Sequence, residues 1–342
     1  MLTEAAIVPP PTASTARPGQ GRLPVIDAAR ATALAAMAGY HTLWDLGYLR
    51  LTVENYALTP LGHRAAETIA GTFLLLVGVG LVLMNGRGIR PRATLIRLGR
   101  IGGAALLVTL GTWVAFPDAF VFFGILHCIA LASVLGLPFL FLPVSVAAFA
   151  AALVLAAPLV LHAAFLDAPA LFFLGLGAVM PRTNDYVPLF PWFGLVLAGI
   201  VLGRIGLPRL AALRLGAWTP RSRLGRCATF AGRHSLVIYL IHQPLLLGLL
   251  TAVVSVTGPN PHAGLRAFRA DYVTICTRTG GEAPLCRIAA RCTSDALLRE
   301  DLFREDGRPY TVAEQVRAHD LSQQCYGALE HAPINAVTPD RR

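Results

Sequence analysis

The sequence contains few charged residues for its length. Only 14% of its 342 residues are charged, whereas 55% are hydrophobic and the mean hydropathy is +0.60. Soluble domains carry about 25% charged residues, so this composition excludes an ordinary soluble domain and indicates a multi-span membrane protein. Acidic residues are also scarce, at 19 against 29 basic ones. Because the arginines lie mainly between apolar segments, as the positive-inside rule describes, the basic excess does not indicate nucleic-acid binding.

The sequence also lacks a signal peptide, an internal repeat and a CxxC motif. Residues 1–21 lack the basic start and apolar run of a signal peptide, and their Pro, Ala and Thr content predicts a disordered cytosolic tail. No internal repeat of the kind found in many transporters is visible. No CxxC motif occurs, which disfavours a zinc site without excluding one.

Apolar segments long enough to cross a bilayer recur along the chain. A span needs about 20 mostly apolar residues, and we predict seven: 24–45, 65–85, 98–115, 119–137, 139–161, 187–205 and 232–257. The expected fold is therefore an all-α, polytopic membrane bundle of about seven transmembrane helices, forming one domain over 22–257. Leu137-Pro138 alone separates the fourth and fifth segments, which predicts a tight hairpin or a kinked unit.

The arginines also predict the orientation of these segments. The connections after the second and sixth segments are rich in arginine, whereas the alternate connections carry Asp or Glu instead. The positive-inside rule then places the N-terminus in the cytosol and the C-terminus outside.

The remaining segment, 258–342, is polar and contains four of the six cysteines: Cys276, Cys286, Cys292 and Cys325. In an oxidising compartment they predict two disulfides, with three connectivities open. Cys286 and Cys292 are six residues apart and would face different sides of one helix, so we expect each to pair elsewhere. A Thr-x-x-Glu capping box predicts a helix over 312–329. We expect a small, helical, disulfide-linked extracytoplasmic tail.

The first apolar segment carries an ionisable pair near its outer end. His41 and Asp45 are four residues apart, so they lie on one helix face. A carboxylate beside an imidazole raises its basicity and fixes its tautomer, as a general base requires. The alternative is an interfacial cluster in which Trp44 and Tyr48 are membrane-belt aromatics and His41 is ordinary polar packing.

Two more histidines lie within apolar segments. His127 occurs in FVFFGILHCIALASVL and His242 in LVIYLIHQPLLLGLL. Histidines at that depth face a bundle interior or a cavity, or else make an interhelical hydrogen bond. Pro244 follows His242 and frees a backbone carbonyl, which favours a cavity at this position.

The inner face offers a candidate anion site. Arg233, His234 and Ser235 open the last segment, and a helix N-terminus with basic side chains nearby suits an anion. Asp27 and Arg30 are expected at the same depth and to pair with each other or with this group. Ordinary positive-inside charge is the alternative.

The outer face offers two candidate acceptor-binding residues. Asp185 and Trp192 lie beside prolines where the sixth segment begins. Such a rim shapes a pocket mouth, although proline in a first helical turn is also ordinary helix-start chemistry. No metal site is predicted.

Four segments together resemble a known family: IDAARATALAAMAGYHTLWDL, FGILHCIALASVL, DYVPLFPWFGLVLAGIVLG and GRHSLVIYLIHQPLL. They occur in the order expected of bacterial proteins similar to the heparan-α-glucosaminide N-acetyltransferase catalytic domain, over about residues 22–256. The resemblance implies transfer of an acetyl group from cytosolic acetyl-CoA, through the membrane, to an acceptor sugar on the other side. It also implies a membrane-embedded histidine as general base or transient acyl carrier.

The resemblance assigns roles to the residues above. His41 is the first choice as the catalytic group, with Asp45 beside it and with His127 and His242 along the acyl path. Basic residues at the inner face would hold the donor: Arg30 and Arg233, with His234 and Ser235. We expect a bacterial inner-membrane protein whose C-terminus is periplasmic and whose partners are lipid and a glycan-type acceptor. A homo-oligomer is an open alternative to a monomer. The rival hypotheses are a transporter that uses the same histidines and a non-enzymatic membrane partner.

Overall fold

The computed structural model describes residues 23–86, 88–161, 163–212, 218–303 and 309–330. Within these ranges the chain forms helices and loops and no strand, which confirms the all-α prediction for this part of the protein. The predicted disordered tail over 1–21 lies outside the described residues.

The described chain forms α-helices joined by loops and short 3-10 turns. In chain order they are α1 (Pro24–Tyr48), α2 (Pro60–Asn85), α3 (Pro91–Ala115), α4 (Ile125–Leu135), α5 (Val144–Val160), α6 (Leu189–Ala212), α7 (Arg223–Arg233), α8 (Ser235–Thr257), α9 (Leu265–Arg278), α10 (Ala283–Arg299) and α11 (Val312–Glu330). Proline occupies the first turn of α1, α2 and α3, where its missing N–H costs no helical hydrogen bond.

Four helices are long and apolar enough to cross a membrane: α2, α3, α8 and the Leu189–Arg209 part of α6. The other three predicted spans remain predictions. Helix α1 has sufficient length, but Asp27, Arg30 and Asp45 lower its apolar character. Helix α4 has 11 residues, or about 16 Å, and α5 has 17 residues, or about 25 Å. Both are shorter than the roughly 30 Å hydrocarbon core.

The fourth predicted span differs most from the structure. The sequence predicts one segment over 119–137, but the chain is irregular as far as Gly124 and becomes α-helical only at Ile125. Two threonines of α3 bind the backbone of Val121 in this irregular stretch. The Thr109 hydroxyl donates to the Val121 carbonyl oxygen, and the Val121 N–H donates to the Thr112 hydroxyl. Apolar composition alone therefore overestimates the helix, because side chains of a neighbouring helix satisfy the backbone instead.

Helix α6 lies at the centre of the bundle, between α2 and α5. Val196, Leu197 and Ile200 are fully buried there. Glycines bring α2 and α6 into backbone contact, since a Cβ built on Gly78 would lie 2.1 Å from the carbonyl oxygen of Val196. In lipid the hydrophobic effect does not drive helices together, so their association depends on van der Waals packing. Small residues at such crossings permit that close packing.

Segments assigned to one membrane face by the arginine pattern contact each other in the structure. On the face predicted to be cytosolic, Arg204 of α6 donates a hydrogen bond to the carbonyl oxygen of Phe139, between α4 and α5. On the opposite face, the N–H of Asn260 after α8 donates to the carbonyl oxygen of Arg50 after α1. The predicted alternation of the chain between two faces agrees with these contacts.

The C-terminal segment forms a separate small group of helices, α9 to α11. Two disulfides join it, Cys276–Cys286 and Cys292–Cys325, so the expected pairing of Cys286 and Cys292 with other partners is confirmed. The predicted capping box is also present, because the N–H of Thr311 donates to Glu314 and the N–H of Glu314 donates to the Thr311 hydroxyl.

An ion pair connects the last two helices of this group. Arg317 of α11 donates hydrogen bonds to both carboxylate oxygens of Glu300, at the end of α10. These hydrogen bonds lower the pKa of Glu300 from its ordinary value. Both side chains are solvent-accessible, so the pair fixes geometry more than it stabilises the fold.

Candidate functional site

Helices α1 and α8 bring two histidines into direct contact. Nδ1 of His41 lies 2.8 Å from Nε2 of His242. The two rings are nearly parallel, with an interplanar angle of 10° and centroids 5.0 Å apart. Both residues lie within helical segments rather than at their ends. Two of the predicted catalytic histidines therefore form one unit.

A second contact between α1 and α8 lies beside this pair. The side-chain amide of Gln243 donates a hydrogen bond of 2.7 Å to Oδ1 of Asp45. Asp45 is 0% exposed, and its Oδ2 and the Oε1 of Gln243 have no hydrogen-bond partner within the described chain. Two buried acceptor atoms thus lie next to the histidine pair. Gln243 was not among the predicted site residues, although it is the one amide in the apolar run of α8 and directly follows His242.

A separate cluster lies at the opposite end of α1. The carboxylate of Asp27 is 3.4 Å from Nη1 of Arg30 and 3.3 Å from Nε of Arg233. Asp27 is only 4% exposed, and Gly232 permits the contact, because a Cβ there would lie 1.8 Å from the Asp27 carbonyl oxygen. Both pairings considered from the sequence therefore occur together. His234, by contrast, is exposed and bonds the carbonyl oxygen of Phe230.

This cluster borders a large cavity within the bundle. The cavity has a volume of about 1390 Å³ and contains one carboxylate, that of Asp27, among its lining side chains. Six arginines line it, five of them in four different helices and Arg90 directly before α3: Arg30, Arg90, Arg97, Arg100, Arg204 and Arg233. Ser235 also lines it. Phe73, Leu126 and Ile129 form an apolar part of the wall. The cavity therefore combines a strongly cationic portion with an apolar one.

Tyr239 connects the cavity to the histidine pair. Tyr239 lines the cavity, and its carbonyl oxygen lies 2.7 Å from Nδ1 of His242. Three residues along a helix correspond to about 4.5 Å of rise. One lining residue of the cavity therefore lies about one helical turn from His242. Tyr239 was not selected from the sequence because an isolated tyrosine in an apolar run carries no motif.

His127 lies in a third group, where both of its ring nitrogens are used. The N–H of Gly124 lies 3.3 Å from Nδ1, and the Thr109 hydroxyl oxygen lies 3.1 Å from Nε2. The Thr109 hydroxyl donates its own hydrogen to the carbonyl oxygen of Val121. Nε2 of His127 must therefore carry the hydrogen and donate it to Thr109. This arrangement braces the start of α4.

The two predicted acceptor-binding residues have other contacts. Oδ2 of Asp185 accepts a hydrogen bond of 2.9 Å from the N–H of Ile125, in the first turn of α4. A carboxylate in that position satisfies a free helix N–H and complements the helix dipole. Trp192 packs near Gly71 of α2. Asp185 and His127 therefore both hold the same helix end.

Arg97 and Arg100 are three residues apart, so they share a face of α3. They belong to the arginine-rich connection after the second predicted segment, and the sequence alone does not connect that helix face to α1 and α8. Within the described residues, no group of three His, Cys, Asp or Glu is arranged to hold a metal ion.

Comparison with known proteins gives one match. A family model described as "Heparan-alpha-glucosaminide N-acetyltransferase, catalytic" matches residues 22–244. No curated protein and no solved structure matches the chain. The matched range includes the histidine pair, the Asp27 cluster and all six cavity arginines.

Proposed function

Because this chain belongs to the heparan-α-glucosaminide N-acetyltransferase catalytic family, we propose that it transfers an acetyl group from acetyl-CoA to an amine or hydroxyl of a glycan-type acceptor. The supporting observation is the juxtaposition of two features. An arginine-lined cavity has Tyr239 in its wall, and the carbonyl oxygen of that residue is bonded to His242 of the His41–His242 pair. A site for an anionic donor and a site for proton transfer thus adjoin.

The cavity suits the chemistry of the donor. Acetyl-CoA carries several phosphate charges at one end and an apolar, extended thioester arm at the other. Arginine is the preferred partner of phosphate because its planar guanidinium donates paired hydrogen bonds. A volume of about 1390 Å³ also exceeds the roughly 300–1,000 Å³ of pockets for drug-sized ligands. We assign the phosphates to the arginines and the thioester arm to the apolar wall.

The α1–α8 contact suits the chemistry of the acceptor. A neutral imidazole within a membrane can remove a proton from an attacking amine or hydroxyl. Asp45 Oδ2 and Gln243 Oε1 are buried acceptor atoms beside the histidine pair, and the Gln243 side chain also contacts His41. We assign proton transfer to His41 and acceptor orientation to Asp45 and Gln243.

We assign a structural role to the group around His127. His127 and Asp185 hold the N-terminal turn of α4, and Ile125 and Leu126 of that turn line the cavity. Their effect on transfer would therefore be exerted through the shape of the donor cavity.

Acyl transfer by the purified protein tests the proposal. With radiolabelled acetyl-CoA and an amino sugar, we expect CoA release that depends on the acceptor. We expect Arg97→Gln to raise the KM for acetyl-CoA about 10- to 100-fold, since a hydrogen bond to a charged group contributes about 1.5–3 kcal/mol. Arg92→Gln is the matched control, because Arg92 lies on the same helix but outside the cavity lining. Absence of both acetyl-CoA binding and transfer would overturn the proposal.

We propose a bacterial inner-membrane location with the arginine-rich face in the cytosol. After reduction, a membrane-impermeant thiol reagent should label Cys276, which is partly exposed, in intact spheroplasts. Cys227, which is free and exposed on α7, should react only after lysis. Labelling of Cys227 alone in intact spheroplasts would show that the orientation is the reverse of the one proposed.

A further inference from the structure

We infer that His242 is a positioning residue that fixes the tautomer of His41, so that Nε2 of His41 is the nitrogen that receives the acceptor's proton. The inference rests on the proposed acyl transfer and deepens it. It is derived from the direction of two consecutive hydrogen bonds, one within α8 and one between α1 and α8.

The first hydrogen bond determines the tautomer of His242. Its Nδ1 lies 2.7 Å from the carbonyl oxygen of Tyr239. A carbonyl oxygen only accepts hydrogen bonds, so Nδ1 of His242 carries the hydrogen. In the neutral imidazole the other nitrogen, Nε2, is then an acceptor.

The second hydrogen bond transfers this constraint to His41. Nδ1 of His41 lies 2.8 Å from the acceptor nitrogen Nε2 of His242. A hydrogen bond between two nitrogens needs one hydrogen, and His242 does not supply it, so Nδ1 of His41 donates. Nε2 of His41 therefore has the lone pair. The helical backbone of α8, through Tyr239, decides which nitrogen of His41 is basic.

A clamp beside the pair holds the two helices in this register. The hydrogen bond from Gln243 to Asp45 joins the same helices one residue from His242 and four residues from His41. The reverse tautomer, with hydrogen on Nε2, occurs in His127, where an N–H group of Gly124 donates to Nδ1. His242 and His127 thus have opposite tautomers. Nδ1 of His242 meets a backbone acceptor, the Tyr239 carbonyl oxygen, whereas Nδ1 of His127 meets a backbone donor, the Gly124 N–H.

The assigned tautomer gives a balanced transfer step. The acceptor nitrogen or oxygen attacks the thioester carbonyl carbon while its proton passes to Nε2 of His41. The carbon–sulfur bond breaks and its electron pair leaves with the CoA sulfur. The imidazolium then returns the proton from Nε2 to the thiolate, which yields CoA and the acetylated acceptor. His242 Nε2 accepts the hydrogen bond from His41 Nδ1 throughout and stabilises the imidazolium.

Two substitutions of His242 separate positioning from packing. His242→Gln places an amide oxygen near the former Nε2 position and keeps an acceptor for His41. His242→Asn places an amide nitrogen near the former Nδ1 position, so it keeps the Tyr239 contact but offers His41 no acceptor. We expect kcat to fall about 5-fold in the Gln variant and about 100-fold in the Asn variant, with the KM for acetyl-CoA unchanged in both. Equal losses, or a larger loss in the Gln variant, would overturn the inference.

A spectroscopic measurement tests the tautomer independently of activity. In protein labelled with ¹⁵N-histidine, His41 should show a hydrogen on Nδ1 and none on Nε2 in the wild type, with the signal identified by its loss in His41→Gln. The His242→Asn variant should lose this pattern. A hydrogen on Nε2 of His41 in the wild type would overturn the inference. Absence of transfer by the wild type, with the expected spectrum, would overturn the proposed function and leave the tautomer assignment supported.

Discussion

Replacement of His41 by alanine is expected to reduce acyl transfer about 1,000-fold. The variant removes the nitrogen that takes the acceptor's proton, and positioned general bases contribute roughly 10²- to 10⁴-fold to rate. The donor cavity is formed by other residues, so the affinity for acetyl-CoA should stay within about 2-fold of the wild type. The measurement is the rate of acetyl transfer at saturating acetyl-CoA, together with equilibrium binding of the donor.

His63→Ala is the matched control for this prediction. His63 is an exposed histidine near the start of α2, and its ring bonds the carbonyl oxygen of Thr59 rather than a residue of the site. We expect its activity to equal that of the wild type. If His41→Ala retained full activity, His41 would have no part in the mechanism. Loss of donor binding in the same variant would instead indicate a collapsed bundle.

Gly78→Val is expected to prevent formation of a stable bundle. The hydrogen at this position faces the backbone of α6, and even a Cβ would lie 2.1 Å from the carbonyl oxygen of Val196. Backbone atoms cannot relieve the overlap by changing rotamer, so α2 and α6 must separate. Overpacking typically costs about 1–3 kcal/mol, and we expect the upper end of that range or more here. The readout is thermal unfolding and monodispersity of the purified protein in detergent.

Gly102→Val is the control for this substitution. Gly102 lies in α3, and a Cβ there meets nothing within 4 Å. Its unfolding temperature should lie within a few degrees of the wild-type value, because the same side chain is added without an overlap. Similar stability of the two variants would show that α2 and α6 do not approach as closely as Gly78 indicates.

Local signals account for the features that were predicted correctly. Helix α1 was expected over 24–45 and occurs as Pro24–Tyr48, because one long apolar run is bounded by proline and by polar residues. Thr311 and Glu314 are three residues apart, so their capping box was visible without any tertiary information. The two disulfides of the C-terminal segment followed from the number and spacing of its cysteines. Helical periodicity placed Asp45 one turn from His41, but in the structure His41 bonds His242 and Asp45 bonds Gln243.

The residues that form the site come together through contacts between segments that are distant in the sequence. Gln243 meets Asp45 across 198 positions and His242 meets His41 across 201. No helical period or short motif encodes such a separation. His127 was a candidate on the same grounds as His242, and only the backbone groups around each ring distinguish them. The irregular stretch before Ile125 was likewise hidden, because threonines from α3 satisfy its backbone.

The sequence by itself determined the class of the protein. Its scarce charge and long apolar segments require a membrane bundle, its arginine distribution predicts two faces, and its ordered segments indicate the family. Only the tertiary structure decided which polar groups act together. Composition and periodicity indicate whether each segment favours lipid or water. Hydrogen-bond partners depend instead on how the helices pack against one another. Glycines permit close approaches, at Gly78 between α2 and α6 and at Gly232 between α7 and α1, and the contact of α1 with α8 places His41 against His242.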